Sequence, residues 1–571
     1  MELLALLILC ISAITVRAVD PIIVQEQEFI NAVSHNRFVI IGIDYQPGGE
    51  GAYGTGNGDP LSNATACLRD AALMQQLGVN TIRVYNVDPI YNHDDCASIF
   101  NSVGIYMLID VNSPLSGQSL DRSNPSGTYT TNYLNHTFYV VEAFKSYPNT
   151  LGFFAGNEII NDVTTGQANP PYIRAIQRDL KNYIAAHSSR TIPVGYSAAD
   201  VRPVLQDTWA YLQCNNANGN GLDLSRSDFL GLNSYSWCGD ATYTSSGFNQ
   251  LVEIFGNTTI PVFLSEYGCN NPEPRHFNEV QALYGPQMTV MSGGLVYQWT
   301  QDTANFGIVQ AYSNATVQLL NDYNVLSAQY SKLNIASLES ANSTATSLQP
   351  PQCNANLISA DGFSTNFNIP PPPPGAAQLI SSGVPNPPSG TIRPVTQTSV
   401  QVAVYATDGA QIQGLKIQAV SSAEHPGQAA AISTASALAT AAASSAATSS
   451  SAATSSSSVT SSSMATSTGV AAGSSAATSS SVATSTGAAS SSGVPSSSAT
   501  ATGPGAGTSS GMAKTSSMAT SSAANIATSA TASAAAAAAS ATRTGGVRKM
   551  DAGLAGSAFA VAAMGVFAFA V

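Results

Sequence analysis

Residues 151–162 read LGFFAGNEIIND. Six apolar or small residues lead into an amide and a carboxylate, Asn157 and Glu158. The run has the length of a buried strand, and a buried strand has no reason of its own to stop on two adjacent polar groups. The same form recurs on both sides of it. FVIIGIDY (38–45), TIRVY (81–85), IYMLID (105–110), IPVGYS (192–197), FLGLNSY (229–235), PVFLSE (261–266) and GLVYQW (294–299) are short apolar runs that end at Gly, Asn, Asp or another polar break. Between several of them lie helical patterns, such as CLRDAALMQQLG (67–78) and YIRAIQRDLKNYIAAH (172–187). Eight strands alternating with helices predict an α/β fold, a (β/α)₈ or TIM barrel. A doubly wound parallel sheet is the other architecture that this alternation admits.

In a barrel the reacting groups sit at the C-terminal ends of the strands. Glu158 ends the fourth run and Glu266 the seventh, so two carboxyls share one face. That pairing fits glycoside chemistry. A glycosidic oxygen is a poor leaving group and must be protonated while the anomeric carbon is attacked. Two carboxyls ~5–5.5 Å apart do this with retention of configuration, provided that one is protonated and the other ionised. Asn157 is placed to hydrogen-bond a sugar 2-hydroxyl. Aromatic residues follow the same strand ends: Tyr85, Tyr235, Trp237, Tyr267, Tyr297 and Trp299. Clustered at a barrel mouth, such rings favour a polysaccharide groove. Asp200 and Arg202 follow the fifth run and are candidates for binding hydroxyls, or for a surface ion pair.

The rest of the chain bounds where this chemistry happens. Of seven cysteines, Cys10 lies in an apolar leader (1–18) that reads as a secretory signal peptide ending in Val16-Arg17-Ala18. Six remain, an even number that suits an oxidising compartment. Their places along the barrel favour Cys238–Cys269 and Cys67–Cys96, which leaves Cys214–Cys353; sequence alone permits every other pairing. N-x-S/T sequons at Asn63, Asn135, Asn257, Asn314 and Asn342 agree with secretion. Residues 19–335 form the expected catalytic domain, and 336–420 a Pro-rich linker with a small β-like appendage. Residues 421–545 are Ser/Thr/Ala-rich with too little apolar bulk to fold, a stalk. Residues 546–571 end in a small-residue apolar tail after a polar spacer, the order of a GPI-anchor signal. The net charge of −13 argues against a nucleic-acid partner, and no C-x-x-C pair points to a metal. No cofactor is expected.

Taken in order, GIDYQPGG (42–49), DPLSNATACLRDAALMQQLGVNTIRVYNVDP (59–89), GFFAGNEIIND (152–162), IPVGYSAAD (192–200), LGLNSYSWCG (230–239), PVFLSEYGCN (261–270), FNEVQALYG (277–285) and GGLVYQW (293–299) resemble the fungal GPI-anchored β-1,3-glucanosyltransferases of glycoside hydrolase family 72. The resemblance implies Glu158 as acid/base and Glu266 as nucleophile. It also implies glucan binding by Tyr85, Asn157, Asp200, Arg202 and Tyr297, with Tyr235 beside the nucleophile. With no cysteine after Cys353, the chain resembles the branch without a cysteine-rich carbohydrate-binding module. The implied reaction cleaves a β-1,3-glucan internally and passes the new reducing end to the non-reducing end of another chain. Donor and acceptor glucans, and the outer membrane leaflet through the anchor, are the expected partners. A hydrolytic endo-β-1,3-glucanase and a non-catalytic wall mannoprotein are the alternatives.

Overall fold

The computed structural model describes residues 19–49, 53, 58–217, 221–340, 342 and 347–420. The expected signal peptide, stalk and anchor signal lie outside the described residues. The barrel is closed and parallel, and every strand read from the sequence is in it. After a small antiparallel sheet of β1 (Ile22–Gln25), β2 (Glu28–Asn31) and β3 (Arg37–Phe38) come the eight barrel strands. They are β4 (Ile40–Asp44), β5 (Thr81–Val84), β6 (Tyr106–Asp110), β7 (Thr150–Asn157), β8 (Val194–Ala199), β9 (Leu230–Asn233), β10 (Val262–Tyr267) and β11 (Met291–Val296). Each pairs with its sequence neighbours, and β11 closes on β4. At that seam Gly293 has φ +87°, and a Cβ there would fall 2.0 Å from the Ile40 carbonyl oxygen. Only glycine meets both conditions.

Helices surround the barrel where the periodicity places them. The helix Ala64–Leu77 starts at Asn63, whose side chain accepts from the Thr65 and Ala66 N–H groups, and stops at Gly78 in the left-handed region. The helix Pro170–His187 begins with proline in its first turn, where a missing N–H costs nothing.

The barrel interior is layered. Its lower part is aromatic: Phe29 from the β1–β3 plug meets Phe229 and Phe263 at 5.9 and 5.8 Å, and Phe154 meets Phe229 at 5.2 Å. Above Phe154 the interior turns polar, with Arg83, Asp110, Ser197, Asn233, Ser265 and Glu266 all buried. Apolar packing below thus supports a charged layer at the C-terminal mouth.

After the barrel the chain makes β12 (Val309–Ala311) and β13 (Val317–Leu319), then the helix Asn321–Tyr330. Residues 347–420 run back across the outer helices. Asp207 accepts from the Ser359 and Ala360 N–H groups, Arg178 donates to Pro370 O, Thr131 to Pro374 O and Tyr139 to Pro385 O. Asp94 takes the Thr391 N–H, and Gln75 exchanges bonds with Gln418. The proline-rich stretches therefore lie along the barrel as a strap, with their carbonyls used by helix side chains. The expected β-like appendage falls on residues 399–420. Only β14 (Val404–Tyr405) is regular, paired parallel with β13, while isolated bridges Ser399–Lys416 and Tyr405–Gln411 trace the hairpin.

All three favoured disulfides are present: Cys67–Cys96, Cys214–Cys353 and Cys238–Cys269. The second ties the strap to the barrel, and the third joins the loops after β9 and β10. Loss of a native bridge costs about 2–5 kcal/mol, so Cys269→Ser is expected to unfold at lower temperature and to be secreted in lower yield. Thermal unfolding of parent and variant checks this; identical midpoints would contradict it.

Candidate active site

The two glutamates arrive at the mouth on β7 and β10, and both strands are irregular just before them. The register of β7 on β8 shifts between Phe154 and Asn157, and that of β10 on β9 between Leu264 and Glu266. Such bulges re-aim the side chains that follow. Glu158 itself has φ +48°, while its N–H is held by Ser197 O at 2.8 Å. A left-handed backbone at a non-glycine residue is costly and persists only where its surroundings over-determine it.

Glu266 is buried, and both of its oxygens accept. Tyr85 Oη donates to Oε1 at 2.9 Å, Arg83 Nη1 to Oε1 at 3.2 Å and Tyr235 Oη to Oε2 at 2.8 Å. Burial pushes both phenols well above their ordinary range, so they stay protonated and able to donate. Arg83 is fully buried, with its guanidinium 4.3 Å from the Tyr85 ring centre and 4.5 Å from that of Phe154. It donates from Nε and Nη2 to Asp110 at 3.1 and 2.9 Å, and from Nη2 to Asn157 Oδ1 at 2.9 Å. Asn233 completes the chain. Its Nδ2 donates to Asn157 Oδ1 at 3.0 Å and to Glu158 Oε1 at 2.9 Å, while its Oδ1 accepts from Ser197 and Ser265. One continuous path of hydrogen bonds thus links the two glutamates through Arg83, Asn157 and Asn233. With two donors on its oxygen, the Asn157 amide is oriented and presents Nδ2 for donation.

Burial raises the Glu266 carboxyl from 4.5 to about 7; Arg83, Tyr235 and Tyr85 pull it down, and repulsion from Glu158 adds to the rise. The two carboxyls are electrostatically linked, the charge of Glu158 acting to raise Glu266. Three donors, one of them a cation, stabilise the Glu266 carboxylate. Among the described residues Glu158 has one donor, the Asn233 amide, and no cation. The asymmetry of donors makes Glu266 the better anion.

Of the aromatic residues at the strand ends, Tyr85, Tyr235 and Tyr297 are brought together. The Tyr297 ring lies 6.3 Å from Tyr85, 6.2 Å from Tyr235 and 5.3 Å from Phe306. The other three are buried in separate packings, which corrects the expectation of a six-ring cluster. Tyr267 is buried with its hydroxyl on Tyr330, Trp299 is fully buried near Tyr323, and Trp237 packs on Phe248. Asp200 and Arg202 form an ion pair with each other. Ser234 donates to Asp200 at 2.6 Å, and Arg202 reaches Gln250 at 3.1 Å.

Sequence reasoning missed Arg83, Asp110, Asn233 and Asp44. The last is a fully buried carboxyl at the end of β4. The Tyr85 hydroxyl lies between Asp44 and Glu266; its bond goes to Glu266, and neither Asp44 oxygen has hydrogen-bond geometry to a partner. Burial pushes this carboxyl well up, with Arg83 opposing and Glu266 and Asp110 reinforcing. Among the described residues no cluster of His, Cys, Asp and Glu is arranged to hold a metal.

A family model described as glucanosyltransferase matches residues 11–334. The chain is 50% identical over 429 residues to the 1,3-beta-glucanosyltransferase gel2 of Aspergillus fumigatus, covering 74% of this chain and 89% of that protein. It is 44% identical over 385 residues to the probable 1,3-beta-glucanosyltransferase GAS3 of Saccharomyces cerevisiae, covering 65% of this chain and 74% of that one. Among solved structures, Saccharomyces cerevisiae Gas2p in complex with laminaripentaose superposes with a TM-score of 0.56 at 35% identity, over 63% of this chain and 78% of that one. A glutamate-to-glutamine mutant of Gas2p, bound to laminaritetraose and laminaripentaose, gives 0.54 at 35% identity, over 62% and 75%.

Proposed function

This chain belongs to the glucanosyltransferase family, glycoside hydrolase family 72, and we propose that it elongates cell-wall β-1,3-glucan by retaining transfer, with Glu158 as acid/base and Glu266 as nucleophile. The observation that carries the division of roles is the donor set: Arg83, Tyr85 and Tyr235 converge on Glu266, while Glu158 has a single amide donor.

In the first step Glu158 gives its proton to the glycosidic oxygen as Glu266 attacks the anomeric carbon. The reducing-end fragment leaves, and the glucan is held as an ester of Glu266. In the second step Glu158, now a carboxylate, takes the proton from the 3-hydroxyl at the non-reducing end of another glucan. That oxygen displaces Glu266, and a new β-1,3 bond forms with net retention. Asn157 Nδ2 donates to the 2-hydroxyl, a contact that strengthens as the anomeric carbon becomes cationic. Tyr85 and Tyr235 hold the nucleophile and donate to the carboxylate charge that returns to Glu266 when the ester breaks. Tyr297, beside them, supplies ring surface for a sugar, and the Asp200–Arg202 pair offers further polar groups to the glucan at the edge of the mouth.

Hydrolysis differs only in what attacks the ester. A reduced laminari-oligosaccharide incubated with the secreted enzyme is expected to yield products longer than the starting chain. Shorter products alone would assign a hydrolytic endo-β-1,3-glucanase instead.

We infer further that residues 1–18 direct secretion, that 546–571 are exchanged for a GPI anchor on the outer leaflet of the cell membrane, and that 421–545 hold the monomeric enzyme away from it as a stalk, within reach of the wall. Their composition supports this reading. Phosphatidylinositol-specific phospholipase C is expected to release the protein from membranes in soluble form. Release by high salt alone would contradict a lipid anchor.

A further inference from the structure

The five sequons differ in what precedes them. Two residues before Asn63, Asn135 and Asn257 stand Leu61, Tyr133 and Phe255, all fully buried, and Ser340 precedes Asn342. Two residues before Asn314 stands Tyr312, which is 46% exposed.

Residues 312–316 connect β12 to β13. The Tyr312 N–H donates to Thr316 O at 3.0 Å, the Ala315 N–H to Tyr312 O at 3.0 Å, and Ala315 has φ +66°. This is a tight turn followed by one left-handed residue, the bulged form of a hairpin loop. It sets Tyr312 opposite Thr316 on one face, with Asn314 at the tip. Asn314 Oδ1 accepts from the Thr316 N–H at 3.1 Å and its hydroxyl at 2.7 Å, and Nδ2, the atom that carries an N-glycan, belongs to an exposed residue.

The sheet has two unlike faces. Val309, Val317 and Val404 are buried on the inner one. On the outer one Gln318 accepts from Tyr312 Oη at 3.1 Å, and Tyr405 lies beside Gln318 in the parallel pairing. Tyr312, Thr316, Gln318, Tyr405 and Gly409 line an open groove of about 540 Å³, and Asn314 stands in its wall.

We propose that the first sugars of an N-glycan on Asn314 lie in this groove, the innermost N-acetylglucosamine packed on the Tyr312 ring and the next directed toward Tyr405. The apolar C–H face of a pyranose suits an aromatic ring, and Gln318 and Thr316 supply hydrogen-bonding groups. Covalent attachment makes the contact intramolecular, so stacking too weak to hold a free sugar is sufficient. The glycan then bridges the β12–β13 hairpin and the returning chain at β14, and stabilises the end of the strap.

This inference rests on the entry into the secretory pathway proposed above, and glycopeptide mass spectrometry separates the two. With the protein secreted from a eukaryotic host, Asn314 is expected to be occupied. Asn314→Gln is expected to lower the Tm by about 1–3 °C, whereas trimming with endoglycosidase H, which leaves the N-acetylglucosamine on the Tyr312 ring and removes the sugar directed toward Tyr405, is expected to cost only part of that. In the trimmed protein the N-acetyl methyl proton resonance at Asn314 is expected to be shifted upfield by the tyrosine ring, and to return to its free position in Tyr312→Ala. The Tm losses of Asn314→Gln and Tyr312→Ala should overlap in the double variant rather than add. An unoccupied Asn314 beside occupied sequons, additive losses, or an unshifted methyl resonance would overturn the proposal. If all five sequons are bare, secretion fails first and this inference with it.

Discussion

Glu266→Ala is expected to lower transfer by about 10⁴-fold, close to 5.5 kcal/mol of barrier, and to recover turnover in azide by making a glucosyl azide of inverted configuration. The small anion enters the space of the lost carboxylate, while Glu158 still protonates the leaving oxygen. Glu158→Ala should behave in the opposite sense. With a donor that carries a good leaving group it still forms the ester on Glu266, and azide then gives the retained configuration. Reading the anomeric configuration of the azide by NMR assigns each glutamate without reference to the other. Glu266→Gln is expected to be inactive yet folded. Burial raises the Glu266 carboxyl to about 7. A carboxyl raised in this way favours the folded state most below its unfolded value of 4.5, and that contribution is lost as the pH rises through about 7. The amide carries no such pH dependence, so at about pH 8 this variant should match or exceed the parent in Tm. Inverted azide from Glu158→Ala would reverse the roles.

Arg83→Met is expected to be the most damaging change away from the two glutamates. The guanidinium is fully buried and binds Asp110, Asn157 and Glu266 together. Removing one partner of a buried ion network leaves uncompensated charge and costs about 3–5 kcal/mol of stability. Turnover should fall about 100-fold or more, as when a preorganised charge-stabilising donor is lost. The pH profile separates a positioning role from simple damage to the fold. Arg83 lowers the Glu266 carboxyl, so its removal raises that carboxyl further, and the acid limb of kcat/KM moves to higher pH. Arg83→Lys keeps the charge but lacks the planar fork; it should restore part of the stability and return the limb most of the way. An acid limb unmoved in Arg83→Met would show that the guanidinium does not act on the nucleophile.

The barrel was legible because each of its strands is an apolar run that stops at a polar residue, and the two glutamates stood out at two such stops. The same rule applied evenly reaches more of the site. Asp44, Asp110 and Asn233 close the runs of β4, β6 and β9, and each is buried at the mouth. Arg83 is harder to see, because a lone arginine inside TIRVY reads as a surface cation until the strand is closed into a barrel. Its signal is parity: Arg83 and Tyr85 are two residues apart, and alternate residues of a strand share a face. Parity also explains a misplaced aromatic. Glu266 points inward, so Tyr267 next to it points outward, where its hydroxyl meets Tyr330. Trp237 and Trp299 are held by packing with Phe248 and Tyr323, contacts between distant parts of the chain that no local pattern announces. The strap over residues 347–398 has no apolar period. It is placed by helix side chains that bind its carbonyls and amides one at a time, and by Cys214–Cys353.

The central claim is that Glu266 becomes the glucan ester and Glu158 moves the protons. It is tested most directly by trapping the ester. A 2-deoxy-2-fluoro laminari-oligosaccharide with an activated leaving group should form the ester quickly and lose it slowly, because the fluorine destabilises the cationic transition state of both steps and the leaving group offsets this only in the first. After protease digestion, fragmentation mass spectrometry is expected to place the added mass on Glu266. Label on Glu158, or turnover of the probe with no covalent species at any glutamate, would contradict the account.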